Sequence, residues 1–354
     1  SNIQRTSLMI VTYVRSSSYN NYDYCQMQYF MTYVLGHQSD SGQKAEIGTM
    51  VHKVMEVLAG LKKYQQDKPR VKYLKVNDDA VGEVKVSKDD LYTDEFVETL
   101  ADLSYESYKK NSKHTWRPAN KKEILKVTWL MLLHNDGQFD PRNRDVYETE
   151  PHFDIPIEED WAKFEYEMPD GKTVEGQLAI KGTIDMVTKL SDDTLEVIDW
   201  KTGRRYNWAT GEEKTFDKLM DDPQLLLYYY AISKLYPEFP NRIMSIFFCK
   251  DPDGKIDPQP FSMPFEKKDE GRFLGMLKNR FEEIKKTQLP KPLNRDRKGF
   301  KCRTLCHFYK NNWPGTDQKM CMYIEDHLKE HGMKKTVDDC TSKGFNIGYY
   351  EAPG

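Results

Sequence analysis

Two aspartates and one lysine near the middle of the chain combine residue types that support hydrolytic chemistry. Asp185 ends the segment Gly-Thr-Ile-Asp, and Asp199 and Lys201 flank a tryptophan further along the chain. Because alternate residues of a β-strand share one face, Asp199 and Lys201 are expected to point the same way. Two carboxylates on neighbouring strands can hold a hard divalent cation, while a lysine can orient or deprotonate water and offset charge on a phosphate. These three residues predict a centre for phosphodiester hydrolysis.

The strands that carry these residues must pair in a particular register. Residues 182–190 and 195–201 have the pattern of a β-hairpin. A four-residue loop between them would pair Asp185 with Trp200 and place the two aspartates on opposite faces. A three-residue connection or a β-bulge pairs Asp185 with Asp199 or with Lys201 instead. We therefore predict one of these two irregularities. The alternative is that Asp199 and Lys201 are ordinary polar residues, because an Asp-x-Lys tripeptide is typical of many solvated strands.

Two predicted helices bring further polar side chains towards the hairpin. Apolar residues recur with helical spacing over residues 44–63, where His52 follows Gly48 by one turn. The missing side chain of Gly48 permits a close approach of helix and sheet. A second helix begins at an Asp-Pro pair, and its residues Gln224 and Tyr228 share one face. Taken alone, a helical histidine is more often structural, and a Gln and a Tyr can simply belong to a core helix.

Four of the six cysteines are distributed in a way that indicates a metal centre. Cys302, Cys306 and Cys321 cluster near one end of the chain, and Cys25 lies in a tyrosine-rich segment near the other. Clustered cysteines in an enzyme of this size indicate metal or redox chemistry more often than disulfides. An iron–sulfur cluster and a zinc ion both stay open, with His307 able to replace one zinc ligand, and free buried cysteines are the remaining alternative.

The order of these motifs resembles the RecB-like branch of the PD-(D/E)XK nuclease superfamily. The C-terminal cysteines and the segment around Cys25 are similar to its iron–sulfur members, among them the CRISPR adaptation nuclease and the nuclease subunit of AddAB. The matching motifs are Gly-x-x-x-His at 48–52, Gly-x-x-Asp at 182–185, Asp-x-Lys at 199–201 and Gln-x-x-x-Tyr at 224–228.

The resemblance implies a role for each catalytic position. Lys201 would act on the attacking water, and Gln224 and Tyr228 would position the scissile strand. Glu150, in the strand before the hairpin, would have a secondary part, since an edge-strand carboxylate is commonly just solvated. Mg²⁺ or Mn²⁺ would be held by His52, Asp185, Asp199 and the backbone carbonyl of Trp200.

The resemblance also implies a 4Fe–4S cluster held by Cys25, Cys302, Cys306 and Cys321. Such a cluster would join the two ends of the chain across the nuclease core. Cys302 and Cys306 are separated by one residue more than is usual in the family, and Gln26 replaces its common proline. Zinc therefore stays an alternative.

The predicted elements and the resemblance indicate an α/β fold with a restriction-endonuclease-like core, in which helices flank a mixed β-sheet. We divide the chain into an N-terminal segment with the histidine-bearing helix (1–64), a helical insertion (65–145), the nuclease core (146–288) and a C-terminal cysteine-cluster segment with a tail (289–354). Residues 16–36 are predicted as a loop leading into a helix. Strands are predicted at 147–157, 164–168, 176–190, 195–202 and 242–249, and further helices at 94–108, 121–133, 223–236 and 267–286.

Composition limits the classes of function that remain. The chain has 354 residues, 38% of them hydrophobic and 31% charged, which is typical of a globular protein. No apolar run approaches the roughly 20 residues that span a bilayer, so we expect no membrane association and a cytoplasmic location in a bacterial or phage-infected host cell. The net charge of −3 argues against a passive polyanion binder, so DNA contacts must be local. Arg204 and Arg205, directly after the Asp-x-Lys strand, are the best candidates.

These inferences together predict a metal-dependent DNA nuclease, expected from the resemblance to be an exonuclease on single-stranded DNA or DNA ends in recombination, repair or phage DNA processing. The sequence has no helicase motif, so any unwinding requires a helicase or recombination partner. The alternative is a catalytically idle DNA-binding or scaffold subunit with a structural zinc or iron–sulfur site.

Overall fold

A mixed β-sheet with helices on both faces dominates the structure, a computed structural model that describes residues 9–168 and 171–345. The predicted terminal segments extend further, and their residues 1–8 and 346–354 lie outside the described part. In chain order the strands are β1 (Tyr13–Val14), β2 (Tyr73–Asp78), β3 (Gly82–Ser87), β4 (Val146–Thr149), β5 (His152–Pro156), β6 (Lys163–Glu167), β7 (Thr173–Gln177), β8 (Ala179–Thr183), β9 (Met186–Ser191), β10 (Thr194–Arg204), β11 (Tyr206–Asn207), β12 (Glu212–Glu213), β13 (Asn241–Lys250) and β14 (Ile256–Phe265). The helices are α1 (Ser16–Tyr24), α2 (Gln26–Tyr29), α3 (Gln43–Asp67), α4 (Asp94–Asn111), α5 (Pro118–Leu133), α6 (Phe216–Met220), α7 (Pro223–Leu235), α8 (Lys267–Lys286), α9 (His307–Lys310) and α10 (Met320–Cys340).

The central sheet has five strands in the order β14-β13-β10-β9-β4. Strand β10 runs parallel to β13, while the β9–β10, β13–β14 and β4–β9 pairs are antiparallel. A parallel pair requires a crossover, because its strands start at the same edge of the sheet, and α7 supplies it here. The predicted mixed sheet with flanking helices is confirmed.

Each face of this sheet packs against its own group of helices. Ile198 and Trp200 of β10 belong to one hydrophobic core together with α3, α4 and α5. Leu195 and Val197 belong to a second core together with α7 and α8. Because apolar side chains leave β10 on both faces, this strand is buried almost throughout its length. Asp199 of β10 therefore lies in the interior rather than on an edge.

The β9–β10 hairpin contains the predicted bulge. Ile198 lies opposite Met186 and Leu195 lies opposite Lys189, but Thr194 lies opposite Ser191, so Leu190 is the extra residue on β9. Continued by one position, the register of β9 and β10 brings Asp185 opposite Asp199. The bulge therefore places both carboxylates on the same face of the sheet.

Several predicted boundaries were wrong. Residues 176–190 form the end of β7 and all of β8 and most of β9, and β8 belongs to a separate three-stranded sheet with β1 and β5. Residues 147–157 are likewise divided between β4 and β5, because the backbone turns at Glu150, which has a positive φ of 46°. Residues 16–36 are helical from the start, with α1 and α2 followed by a π-helical turn at Phe30–Val34.

The segment predicted as a helical insertion, residues 65–145, also contains the β2–β3 hairpin. Its apolar residues Leu74, Val84 and Val86 alternate with charged ones and pack into the core under α3. The alternation is the normal pattern of a half-buried strand, but the high charge of the segment concealed it. Similarly, the predicted tail contains α9 and α10, the latter interrupted at Gly332. None of the helices in the described ranges combines the length and apolar character required to cross a membrane.

Candidate active site

The centre of the candidate site is the pair formed by Asp199 and Lys201 on β10. The Lys201 ammonium nitrogen lies 2.8 Å from Oδ2 of Asp199, whose side chain is 1% exposed. Apart from this ion pair, Oδ2 has no hydrogen-bond partner in the described part of the chain. Burial raises the pKa of Asp199 to about 6, against the opposing effect of Lys201. A buried carboxylate with a raised pKa is a group that an added cation would stabilise.

Asp185 is held beside this pair by the backbone of the opposite strand. The amide nitrogen of Trp200 donates a hydrogen bond of 2.7 Å to Oδ2 of Asp185. The negative charge of Asp185 also contributes to the raised pKa of Asp199. The two carboxylates therefore repel each other across the hairpin, and protonation of Asp199 or nearby positive charge such as that of Lys201 relieves the repulsion.

His52 reaches the same place from α3. Gly48 lets this helix approach the sheet closely, because a Cβ at this position would lie 2.7 Å from the hydroxyl oxygen of Thr202. One turn later, Nε2 of His52 lies 2.8 Å from the carbonyl oxygen of Trp200. The structure therefore places His52 and the Trp200 carbonyl, two of the four groups predicted as metal ligands, in direct contact.

Gln224 and Tyr228 of α7 line the other side of the site. The helix begins as predicted, with the Asp222 side chain accepting hydrogen bonds from the first-turn amides and with Pro223 at the first position. Gln224 Nε2 donates to the Tyr228 hydroxyl at 3.1 Å, and this hydroxyl donates to the carbonyl of Thr183 at 2.9 Å. Burial, together with the charges of Asp199 and Asp185, raises the pKa of Tyr228 well above its usual value. Tyr228 is thus a neutral hydrogen-bonding group.

Glu150 lies on the acidic side of the site, where sequence reasoning missed its neighbours. Burial raises its pKa to about 7, and the charges of Glu56 and Asp185 act in the same direction. Lys53 of α3 balances this side through ion pairs of 2.5 Å with Glu56 and 2.6 Å with Asp78. Glu56 could have been found from the sequence, since it follows His52 by one helical turn. Asp78 could not, because it comes from the hairpin in the segment predicted to be helical.

The donor set fits a hard divalent cation. Two carboxylates and one backbone carbonyl are oxygen ligands of the kind preferred by Mg²⁺, and one imidazole favours Mn²⁺. No three His, Cys, Asp or Glu side chains of residues 9–168 and 171–345 already converge as metal ligands. The fit therefore rests on the chemistry of these donors and on the buried carboxylate of Asp199, whose pKa is raised.

Comparison with known proteins identifies the family. The family model of the PD-(D/E)XK nuclease superfamily matches residues 16–310, which is most of the chain and includes every residue of the candidate site. The chain belongs to the PD-(D/E)XK nuclease superfamily. Nucleases of this superfamily typically use divalent metals such as Mg²⁺. No curated protein matches the sequence significantly.

Two solved structures are similar to this member of the superfamily at low identity. One is a protein from Eubacterium rectale whose assignment as an exonuclease is itself provisional, with 10% identity, a TM-score of 0.41 and coverage of 86% of this chain and 90% of that one. The other is named SSO0001, with 13% identity, a TM-score of 0.24 and coverage of 71% and 88%.

The two predicted DNA-binding arginines have different surroundings. Arg204 is exposed, donates to the carbonyl of Pro252 and lies over the ring of Tyr206 at 5.0 Å. Arg205 is only 8% exposed, and its guanidinium pairs with Glu213 at 2.6 Å. Arg205 is therefore buried in an ion pair, and of the two arginines only Arg204 presents a surface charge beside the strand that carries Asp199 and Lys201.

The four predicted cluster cysteines lie in one neighbourhood. The charges of Cys302 and Cys306 contribute to the raised pKa of Cys25, and those of Cys306 and Cys25 contribute to that of Cys321, although burial is the largest cause for both thiols. Several donors also point at the sulfurs. The Gln28 amide donates to Cys25 at 3.4 Å, backbone amides bond to Cys306, and Arg297 bonds to Cys321. The thiols are therefore near enough to influence one another, but no three of the His, Cys, Asp or Glu side chains in the described ranges form a metal site, and the iron–sulfur cluster stays a prediction.

Proposed function

We propose that this protein is a divalent-metal-dependent DNA nuclease that hydrolyses phosphodiester bonds. The observation that carries the proposal is the meeting of Asp185, Asp199 and Lys201 at the end of one bulged hairpin, where Asp199 is buried with the Lys201 ammonium 2.8 Å from its Oδ2. Burying an ionisable carboxylate costs free energy, and the raised pKa of Asp199 indicates that Lys201 offsets this cost only in part, so a bound cation would be stabilised here. Membership of the nuclease superfamily supports DNA as the substrate.

Each residue has a role that follows from its position. His52, Asp185, Asp199 and the Trp200 carbonyl would hold Mg²⁺ or Mn²⁺, which when bound supplies positive charge for the phosphate and acidity for water. Lys201 carries its ammonium beside the same carboxylate, where it can orient the attacking water and stabilise charge developing on the phosphate.

The remaining polar groups position the substrate. Gln224 donates to the Tyr228 hydroxyl, which donates onward to the Thr183 carbonyl, so a phosphate oxygen would replace one of these acceptors to bind the pair. Arg204, beyond the end of the catalytic strand, would contact the DNA backbone. We further propose that the enzyme is an exonuclease on single-stranded DNA or DNA ends in recombination, repair or phage DNA processing, an expectation that rests on the resemblance to the RecB-like branch.

The test is cleavage of end-labelled single-stranded and duplex DNA with Mn²⁺ or Mg²⁺. We expect metal-dependent products from the wild type and losses of 100-fold or more in Asp199→Ala and Lys201→Ala, in line with about 10²–10³ for removal of one charge-stabilising group. Lys189→Ala is the matched control, because this lysine belongs to the same hairpin but pairs with Asp192 near the turn. No cleavage by metal-replete wild type would refute the proposal and favour the idle scaffold. The lengths of the labelled products show the direction in which the enzyme digests the strand.

We also propose that Cys25, Cys302, Cys306 and Cys321 hold a 4Fe–4S cluster. Four thiolates satisfy such a cluster, and hydrogen bonds to the sulfurs of the kind found at Cys25 and Cys306 stabilise their negative charge. The test is iron, sulfide and zinc analysis with visible absorption after anaerobic purification. Cys25→Ser should lose the metal, whereas Cys249→Ser should keep it, because Cys249 is a core residue of β13. A protein that contains zinc and no iron would contradict the 4Fe–4S cluster and favour a zinc site instead.

A further inference from the structure

We propose that a groove beside the active site binds an unpaired nucleobase of the substrate strand by stacking it on Trp208, an inference that rests on the proposed nuclease function. The groove has a volume of about 600 Å³ and lies between α1 and the β11–β12 turn. We call it the Trp208 groove, and the residues used below are Asn20, Asn21, Tyr24, Tyr206 and Trp208.

Three chain segments connect the Trp208 groove to the active site. Its lining residue Ser17 follows Ser16, whose hydroxyl lies 3.4 Å from Nε2 of Gln224. Its lining residue Pro223 directly precedes Gln224 on α7. The strand that carries the catalytic lysine continues into the β11–β12 turn. A strand with its scissile phosphate at Lys201 therefore needs to extend by only a short distance to place a base in the groove.

Trp208 is presented in a fixed position on the turn. Trp208 is 48% exposed, whereas tryptophan residues are highly buried on average. The Asn207 carboxamide oxygen accepts hydrogen bonds from the amides of Ala209 at 2.9 Å and Thr210 at 3.2 Å, which fixes the backbone around the indole. The ring of Tyr206 supports it edge to face at 5.3 Å. A rigid, solvent-facing aromatic ring is a platform on which any base can stack.

The two acidic residues of the groove are already neutralised. Asp23 pairs with Arg280 at 2.5 Å, and Asp222 pairs with Lys214 at 2.8 Å while it also caps α7. These carboxylates therefore present little net charge to an approaching phosphate. The two carboxylates therefore do not argue against binding of nucleic acid in the groove.

Two cations lie over the aromatic rings instead, and one of them, Lys301, also donates to the Trp208 carbonyl oxygen at 2.8 Å. The Lys301 ammonium lies 5.8 Å from the ring centre of Trp208 and 5.3 Å from that of Tyr24. The Arg204 guanidinium lies 5.8 Å from the ring centre of Trp208. Positive charge next to aromatic faces is the combination that follows a single strand, since the charges contact phosphates and the rings contact bases.

Two carboxamides give the groove polar contacts suited to base edges. Asn20 and Asn21 each offer donors and an acceptor. The Asn21 side-chain oxygen has no hydrogen-bond partner in the described part of the chain, so turning it towards a base breaks no bond of this oxygen. The volume falls in the usual range for small-ligand sites, about 300–1,000 Å³. Paired bases are stacked inside a duplex and cannot enter, so the groove should favour single strands.

The test measures binding without cleavage. Fluorescence anisotropy with a labelled oligothymidylate and a blunt duplex of equal length is recorded in EDTA for the wild type and for Trp208→Ala. We expect the variant to bind the single strand about 5- to 150-fold more weakly, the range for loss of one base–aromatic stack, and to bind the duplex within about twofold of wild type. Trp208→Phe should retain most of the single-strand affinity. Tyr73→Ala, which removes a ring that is 47% exposed on β2 outside the groove, should bind both ligands like wild type.

Circular dichroism and the unfolding midpoint show that each variant is folded. The inference is overturned if Trp208→Ala binds the single strand as tightly as wild type, or if Tyr73→Ala weakens binding equally. It is also overturned if the duplex loses as much affinity as the single strand. These outcomes differ from failure of the proposed function, in which wild type cleaves no DNA with metal whether or not Trp208 contributes to binding.

Discussion

The buried carboxylate of Asp199 makes a prediction about stability that does not depend on activity. In the metal-free protein, ionised Asp199 is unfavourable because it is buried beside Asp185, and Lys201 compensates only in part. Asp199→Asn replaces the carboxylate with a neutral group of the same shape. We therefore expect the variant to be more stable than metal-free wild type at neutral pH, although it should be inactive.

The magnitude follows from the pKa of this group. A rise from the ordinary value of 3.8 to about 6 corresponds to about 3 kcal/mol. Because the folded-state pKa is raised, the stabilising effect of the proton on Asp199 is fully present below about pH 4 and is lost as the pH rises through about 6. The free energy of unfolding of Asp199→Asn minus that of wild type should therefore increase by about 3 kcal/mol between pH 4 and pH 8.

The assay is urea unfolding in EDTA at several pH values between 4 and 8 for both proteins. Asp217→Asn serves as the control for the chemical change, since Asp217 is exposed on α6. Other carboxylates with raised pKa values are present in both proteins and largely cancel. Added Mn²⁺ should stabilise wild type at pH 8 and leave Asp199→Asn almost unchanged, because a ligand stabilises only the form that binds it.

A difference between Asp199→Asn and wild type that stays constant from pH 4 to pH 8 would refute this reasoning. It would mean that Asp199 is already compensated in the metal-free protein. If, in addition, Mn²⁺ stabilises wild type and Asp199→Asn equally, Asp199 is not a ligand of the metal.

Three further predictions concern the groups that support the site. Gly48→Ala should destabilise the protein by about 1–2 kcal/mol in urea unfolding and reduce Mn²⁺-dependent cleavage, because its Cβ would lie 2.7 Å from the Thr202 hydroxyl. The control is Gly271→Ala in α8, whose added Cβ meets no atom within 4 Å and which should stabilise the protein by about 0.5–1 kcal/mol. Asp222→Ala should lower stability by about 1–2 kcal/mol in the same assay through loss of a helix cap, and an Asn replacement that is equally damaging would contradict that cause. Glu150→Gln should become more stable than wild type as the pH rises from 6 to 8, because burial raises the pKa of Glu150 to about 7 and its proton is lost in this range. Urea unfolding midpoints that are equal for the variant and wild type at both pH values would be evidence against it.

Much of the active site could be predicted because it depends on short-range rules. The alternation of side chains along β10 puts Asp199 and Lys201 on one face, and the parity of the hairpin register required the bulge that the structure has at Leu190. The cap and first turn of α7 follow from Asp222 and the proline after it. Each of these features involves residues that are near one another in the sequence.

The features that could not be predicted involve contacts between distant segments. The high charge of the β2–β3 hairpin conceals its local alternation, and its strands are stabilised by α3, which buries Leu74 and Val84. Asp78 at the end of β2 pairs with Lys53 in a way that no spacing indicates. Strand β8 separates from β9 because it pairs with β1 and β5 in another sheet. Tertiary partners override local propensity in each case.

The sequence by itself determined the chemical types of the site, since the family's motifs and their order specify two carboxylates, a lysine, an imidazole and a cluster of thiols. The tertiary structure decided the environment of these groups. Only the packed sheet buries Asp199 and raises its pKa, and only the turn after β10 exposes Trp208 while it buries Arg205. The physical reason is that burial and charge are summed over neighbours from the whole chain, whereas spacing reports only on residues that share one element.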